Sequence, residues 1–203
     1  MRWRVHLVLL AVAFSCMPPP PEHVERVDAR LAFIELQHDE FLRTPEGDLA
    51  LPLPPGWTLL PLASDLADGT IGVVLDSAMT AAVVVQRVQP TEAIAAALDR
   101  GDVRGLARAC FERRLQRTGN TIRLLSDFRL VARDSMRLGT YEFVENVRDT
   151  TTHRRTRVAV VPTSIGGIYE VALSPLVLSL DRVPEERMLD SVFVYVMQIL
   201  RVP

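Results

Sequence analysis

The chain contains no lysine; all 23 of its positively charged side chains are arginine. That excludes lysine Schiff-base chemistry and a phosphate-loop lysine. The arginine codon bias of a GC-rich genome accounts for the usage. Cysteine is almost as scarce. Cys16 and Cys110 are the whole supply, too few for a disulfide framework. The four histidines, His6, His23, His38 and His153, lack metal-ligand spacing. His38-Asp39-Glu40 reads as a solvated loop, and no metal site is expected. There is no glycine-rich phosphate loop, no G-x-S-x-G elbow and no local Cys–His pair. Glu185-Glu186 sit at a helix start, where the helix dipole accounts for them. No catalytic set and no cofactor are expected. No apolar run reaches the roughly 20 residues needed to span a bilayer.

What is present begins at the N-terminus. Arg2 and Arg4 precede a short apolar run from Val5 to Phe14, which together read as a signal peptide over residues 1–15. Ala13-Phe14-Ser15-Cys16 resembles a bacterial lipobox, which implies that Cys16 is the lipid attachment site and that the signal is cut before it. The competing reading is an A-x-A site, Ala11-Val12-Ala13, with cleavage after Ala13 and a plain Cys16 thiol. More than one acyl chain is needed for stable anchoring, and a multiply acylated Cys16 meets that requirement. Pro18 to Pro21 form a stiff polyproline spacer, so residues 16–28 read as a lipidated tether. Met17 rather than Asp follows Cys16, which in a two-membrane bacterium implies the outer membrane, facing the periplasm.

Cleavage before Cys16 leaves 188 residues, enough for one domain with its own core over 29–203. It leaves 21 arginines against 25 acidic residues. That balance argues against a nucleic-acid binder.

From Ala29 onward the pattern is α+β. Ala32 to Leu36 reads as a short strand. Leu49 to Trp57 reads as a strand running into a Pro-Gly turn, with Pro52 and Pro54 requiring an edge. Ile71–Leu75 and Thr80–Val88 read as a hairpin at the sheet centre, turning at Asp76-Ser77. Two helices follow. Thr91 caps the first, and Gly101-Asp102 separates it from the second. In the second, Val103, Leu106, Ala107, Cys110, Phe111 and Leu115 form an apolar stripe. Cys110 on that stripe reads as a buried, inert thiol. Arg104, Arg108, Glu112, Arg113 and Arg117 lie off it, and Gly119-Asn120 ends the helix.

A β section spans Ile122–Arg133, Gly139–Val147, Arg154–Val161 and Ile168–Ser174, with turns at 149–152 and at Gly166-Gly167. Tyr169, Val171 and Leu173 share one face. A final helix has Pro184 at its first position. Its apolar face is Met188, Leu189, Val192, Phe193 and Val196. The expected architecture is one antiparallel sheet with helices packed on its faces.

Leu53-Pro54-Pro55-Gly56-Trp57, the hairpin from Ile71 to Val88, the helix pair from Thr91 to Thr118 and the later hairpins together resemble the Mog1/PsbP-like superfamily, including its bacterial lipoprotein branch. The resemblance covers about residues 45–203. It implies an α/β/α sandwich that is usually non-enzymatic and binds other proteins. Members serve as photosystem II extrinsic subunits or as a Ran-binding factor, and none of their binding residues maps onto this chain.

Arg155 and Arg157 alternate with Thr156, Val158 and Val160 and so share a face. With Arg148 and Arg154 they are a candidate partner-binding patch for lipid headgroups or an acidic protein. The alternative is a solvated strand face with edge-protecting charge. The reading is therefore a membrane-anchored extracytoplasmic lipoprotein acting as an accessory subunit of an envelope assembly, with a protein partner. The alternatives are a carrier for a small apolar or lipid ligand, and a hydrolase with dispersed catalytic residues.

Overall fold

The computed structural model describes residues 24–26, 41–60, 69–145, 154–176 and 184–203. The stretch read as a signal peptide, Cys16, Pro18–Pro21, the strand expected at Ala32–Leu36, Arg148 and the turn expected at 149–152 lie outside the described residues.

The strands are β1 (Val24–Arg26), β2 (Phe41–Arg43), β3 (Ala50–Pro52), β4 (Trp57–Leu59), β5 (Thr70–Asp76) and β6 (Ala81–Arg87), then β7 (Ile122–Leu124), β8 (Arg129–Arg133), β9 (Met136–Glu145), β10 (Arg154–Pro162) and β11 (Ile168–Pro175). The helices are α1 (Glu92–Asp99), α2 (Val103–Arg117) and α3 (Glu186–Ile199). Nine strands form one sheet in the order β1-β8-β9-β10-β11-β6-β5-β4. β7 shares the edge of β9 with β8. All described pairings in it are antiparallel except β1 with β8. β2 and β3 form a separate hairpin.

Both faces of the sheet are covered, which is why its central strands are apolar at both parities. On one face Leu138, Ala159, Tyr169, Val171 and Leu173 pack beneath α3 and the β2–β3 hairpin. On the other, Tyr141, Phe143, Val158, Val160 and Ala172 pack beneath α1 and α2. The antiparallel α/β/α sandwich expected from the sequence is the fold observed. Gly139 sets the distance of α2 from the sheet. A Cβ there would lie 2.7 Å from both Ala107 Cβ and the Val103 carbonyl oxygen.

The caps follow the sequence. Thr91 accepts from the Ile94 amide, and Asp102 accepts from the Gly105 amide at 2.8 Å. The expected stripe on α2 is buried at Leu106, Ala107, Cys110 and Phe111, and Ala109 joins it. Gly119 and Asn120 both take positive φ and end the helix. Asp76 fixes the β5–β6 turn by accepting from the Thr80 and Ala81 amides at 2.6 and 2.9 Å.

Four local expectations are corrected. The β5–β6 hairpin lies toward one edge, and β9, β10 and β11 hold the centre, because β11 inserts beside β6. The stretch Ile122–Arg133 is two strands, interrupted at 125–128 so that both lie against β9. Pro184 precedes the α3 N-cap, which is Glu185. Met188, expected on the apolar face of α3, is exposed. Within the stretch read as tether, Val24–Arg26 pairs with Leu130–Ala132 at the sheet edge.

Candidate functional site

Three polar clusters are built into this sandwich, two by strand alternation beneath a helix and one by the turns at Thr44–Asp48 and Thr163. The first lies under α3. Arg155 and Arg157 share a face of β10, as expected, and α3 covers that face. Glu186 and Asp190, four residues apart on α3, come down onto the arginines. Arg157 has no exposed side-chain surface. Its Nε donates to Asp190 Oδ1 at 2.7 Å and its Nη2 to Glu186 Oε2 at 2.6 Å. Arg155 donates from Nε and Nη2 to Glu142 Oε2 at 2.9 and 2.7 Å. Burial opposes the Arg155 charge, but Glu142, Asp190 and Glu186 outweigh it and raise its pKa. The open basic patch is thus corrected at these two positions. Facing carboxylates neutralise both side chains, and Arg157 is inaccessible. Arg154 lies in β10. Beside the cluster, a cavity of about 270 Å³ between α3 and β8–β9 is lined by Arg129, Thr140, Glu142, Phe193 and Met197.

The second cluster joins the β2–β3 hairpin to the β10–β11 turn. Asp48 accepts from Thr44 Oγ1 at 2.7 Å, Thr163 Oγ1 at 2.6 Å and the Tyr169 hydroxyl at 2.7 Å. Burial works to raise the Asp48 pKa, but the hydrogen bonds from Thr163, Thr44 and Tyr169 more than offset it and hold it below the ordinary value. Burial and the bond to Asp48 push Tyr169 up to about 12. The groups satisfy one another, and the cluster is structural.

The third lies under the C-terminal half of α2. Glu170 is buried on β11, on the face opposite Tyr169 and Val171. It accepts from the Tyr141 hydroxyl at 2.7 Å and pairs with Arg114 of α2. Arg114 also stacks over the Phe143 ring, 5.4 Å from its centroid. Burial opposes the Arg114 charge, but Glu170 and Tyr141 overcome it, and its pKa lies above the ordinary value. Burial and Glu170 raise the Tyr141 pKa. Burial also pushes up the thiol pKa of nearby Cys110, which suits the inert role expected of it.

Two adjoining cavities flank this triad. One, of about 240 Å³, is lined only by polar side chains: Gln86, Arg113, Arg114, Arg117, Thr118 and Glu170. The other, of about 220 Å³, adds Val84, Ile122, Phe143 and Ala172 with the hydroxyls of Thr156 and Ser174 and the exposed carboxylate of Glu145. They share Gln86, Arg114 and Thr118. The result is a trough with a cationic end and a mixed end. Among the described residues no ion pair neutralises Arg113 or Arg117.

The sequence reading placed Arg113 and Arg117 off the apolar stripe and missed their convergence with Arg114 and Glu170. A signal was available. Glu170 is the single charged residue in the otherwise uncharged strand Ile168–Ser174, and an acid buried in such a strand needs a partner.

No family model matches the chain, and no curated protein matches it in sequence. Its structure is similar to solved ones. The solution structure of cyanobacterial PsbP (CyanoP) from Synechocystis sp. PCC 6803 is 16% identical, with a TM-score of 0.57, over 81% of this chain and 92% of that one. The Ran-binding protein Mog1p of Saccharomyces cerevisiae is 11% identical, with a TM-score of 0.52, over 80% of this chain and 94% of that one. The fold is Mog1/PsbP-like, in agreement with the element order read from the sequence.

Proposed function

We propose that this protein is a non-enzymatic accessory subunit, held at a membrane by a lipid on Cys16, that docks onto a protein assembly of the cell envelope. The observation that carries the reading is that the charges of the three buried polar clusters are paired internally. Asp48 is held by three hydroxyls, Arg157 by two carboxylates, and Glu170 by Arg114 and Tyr141. Each arrangement stabilises the sandwich, and none sets a nucleophile against a general base in a cleft. The fold supports a recognition role by analogy, since Mog1p is named as a Ran-binding protein. Among the described residues no helix is long and apolar enough to cross a membrane, so attachment in this reading rests on Cys16.

In vivo cross-linking of the tagged chain tests the proposal. Wild type should capture one defined envelope complex, and Cys16→Ala should lose both the membrane fraction and the complex. Recovery of no specific partner by wild type at native abundance would overturn it.

A further inference from the structure

We infer that the trough under the C-terminal half of α2 is the docking site for an extended peptide segment of a protein partner, one that carries a carboxylate beside an apolar side chain. The inference rests on the accessory-subunit reading and names the surface and the chemistry it uses.

Charge selects one half of the ligand. The polar cavity gathers Arg113, Arg114 and Arg117 against the single carboxylate of Glu170. Glu170 is taken up by Arg114 and Tyr141. Among the described residues Arg113 and Arg117 make no ion pair, so they present positive charge at this mouth, one half-buried and the other exposed, while the Glu145 carboxylate lines the adjoining cavity. Two guanidiniums at one end of a cleft are suited to a carboxylate. The Arg114–Glu170–Tyr141 triad holds the wall between the two cavities rigid, because Arg114 is fixed both by its ion pair and by the Phe143 ring.

The adjoining cavity selects the other half. Val84, Phe143 and Ala172 supply an apolar floor, and Thr156 and Ser174, whose hydroxyls lie 2.9 Å apart, supply groups that both donate and accept. A bare hydrocarbon chain would lay methylenes against the Glu145 carboxylate and against a hydroxyl pair with hydrogen-bonding capacity left beyond its mutual bond, which is unfavourable. A peptide offers amides to the hydroxyls and an apolar side chain to the floor. A volume near 220 Å³ fits one or two residues, not a folded surface.

Residue-resolved NMR of the 15N-labelled full chain tests this directly. The probes are the tetrapeptide acetyl-VLDE-amide, its uncharged counterpart acetyl-VLNQ-amide, and sodium decanoate. The expected result is saturable shifts at Gln86, Thr118, Thr156 and Ser174 with the acidic peptide. The uncharged peptide should bind at least about tenfold more weakly, and the paired substitution Arg113→Glu with Arg117→Glu should do the same, a difference of about 1.4 kcal/mol. The milder pair Arg113→Gln with Arg117→Gln, in a chain whose remaining spectrum is unchanged, separates loss of binding from loss of fold. Equal shifts with the uncharged peptide, or no shifts at these residues, would overturn the inference. Shifts with decanoate alone would assign the trough to an acyl ligand and overturn it as well.

The cross-linking experiment distinguishes the two levels. If the double variant captures the same complex as wild type, the trough is not the docking site and the accessory role stands. If wild type captures nothing, the accessory role falls, and the peptide titration alone decides the trough.

Discussion

Arg157 holds a full positive charge with no exposed side-chain surface, and its two carboxylate partners sit half-exposed on a different element. The asymmetry matters for mutation. Removing Glu186 and Asp190 together leaves the arginine buried and unpaired, which should destabilise the fold by about 3–5 kcal/mol in urea denaturation. Arg155→Ala removes a charge that is one-third exposed and should cost no more than about 1 kcal/mol. A second prediction concerns acid. The folded-state pKa of Asp48 is depressed, so its contribution is complete above the unfolded value of about 4. It is lost as pH falls through the lower folded value. Thermal melts between about pH 2 and 6 should show that loss, and Asp48→Asn should flatten it while costing about 1–3 kcal/mol. How much of this was legible in the sequence depended on distance along the chain. Alternation alone put Arg155 and Arg157 on one face. Their burial was not legible, because Glu186 and Asp190 lie about thirty residues downstream, on a helix whose sequence signal is its apolar stripe.

At the scale of elements, α2 is held by a missing side chain. Gly139 takes an ordinary strand conformation, so its role is steric: it lets the first turns of α2 rest on β9. Gly139→Ala should push the helix outward and cost about 1–3 kcal/mol, read as a lower urea midpoint with an unchanged slope. The C-terminus of α3 depends on Arg133 of β8, which donates to the carbonyls of Met197, Gln198 and Leu200. Burial lowers the pKa of this arginine. Arg133→Met should free those carbonyls and speed amide exchange in the last turn of α3, with about 1.5–3 kcal/mol lost. Helices and hairpins were legible because their periods and caps are local. Sheet order was not. β11 separates β6 from β10 through contacts that no local pattern encodes.

For the whole molecule, covering both faces of the sheet leaves function to what the helices do not cover. α2 seals the sheet along its first turns through Leu106 and Ala107, and its arginine-rich second half overhangs a trough. α3 lays an ion cluster over Arg157 on its own side, beside the cavity it forms with β8 and β9. Arginine thus serves both as a buried ion-pair partner, at Arg157 and Arg114, and as an exposed charge, at Arg117. The fold class was readable because alternating and helical periods follow one another in a fixed order along the chain. The trough was not readable, because it depends on where α2 stops relative to β6 and β11.

The pairing of β1 with β8 sets a leash. Val24 is already part of the sheet, and only seven residues of chain, eight Cα-to-Cα steps, separate it from Cys16. Fully extended, they reach no more than about 29 Å. A domain lipidated at Cys16 therefore cannot roam the compartment; its edge strand stays within that radius of the bilayer surface. Its search for a partner in the same membrane becomes a problem in two dimensions, where effective concentration replaces much of the intrinsic affinity that a free protein would need. Weak docking in a small trough is then sufficient.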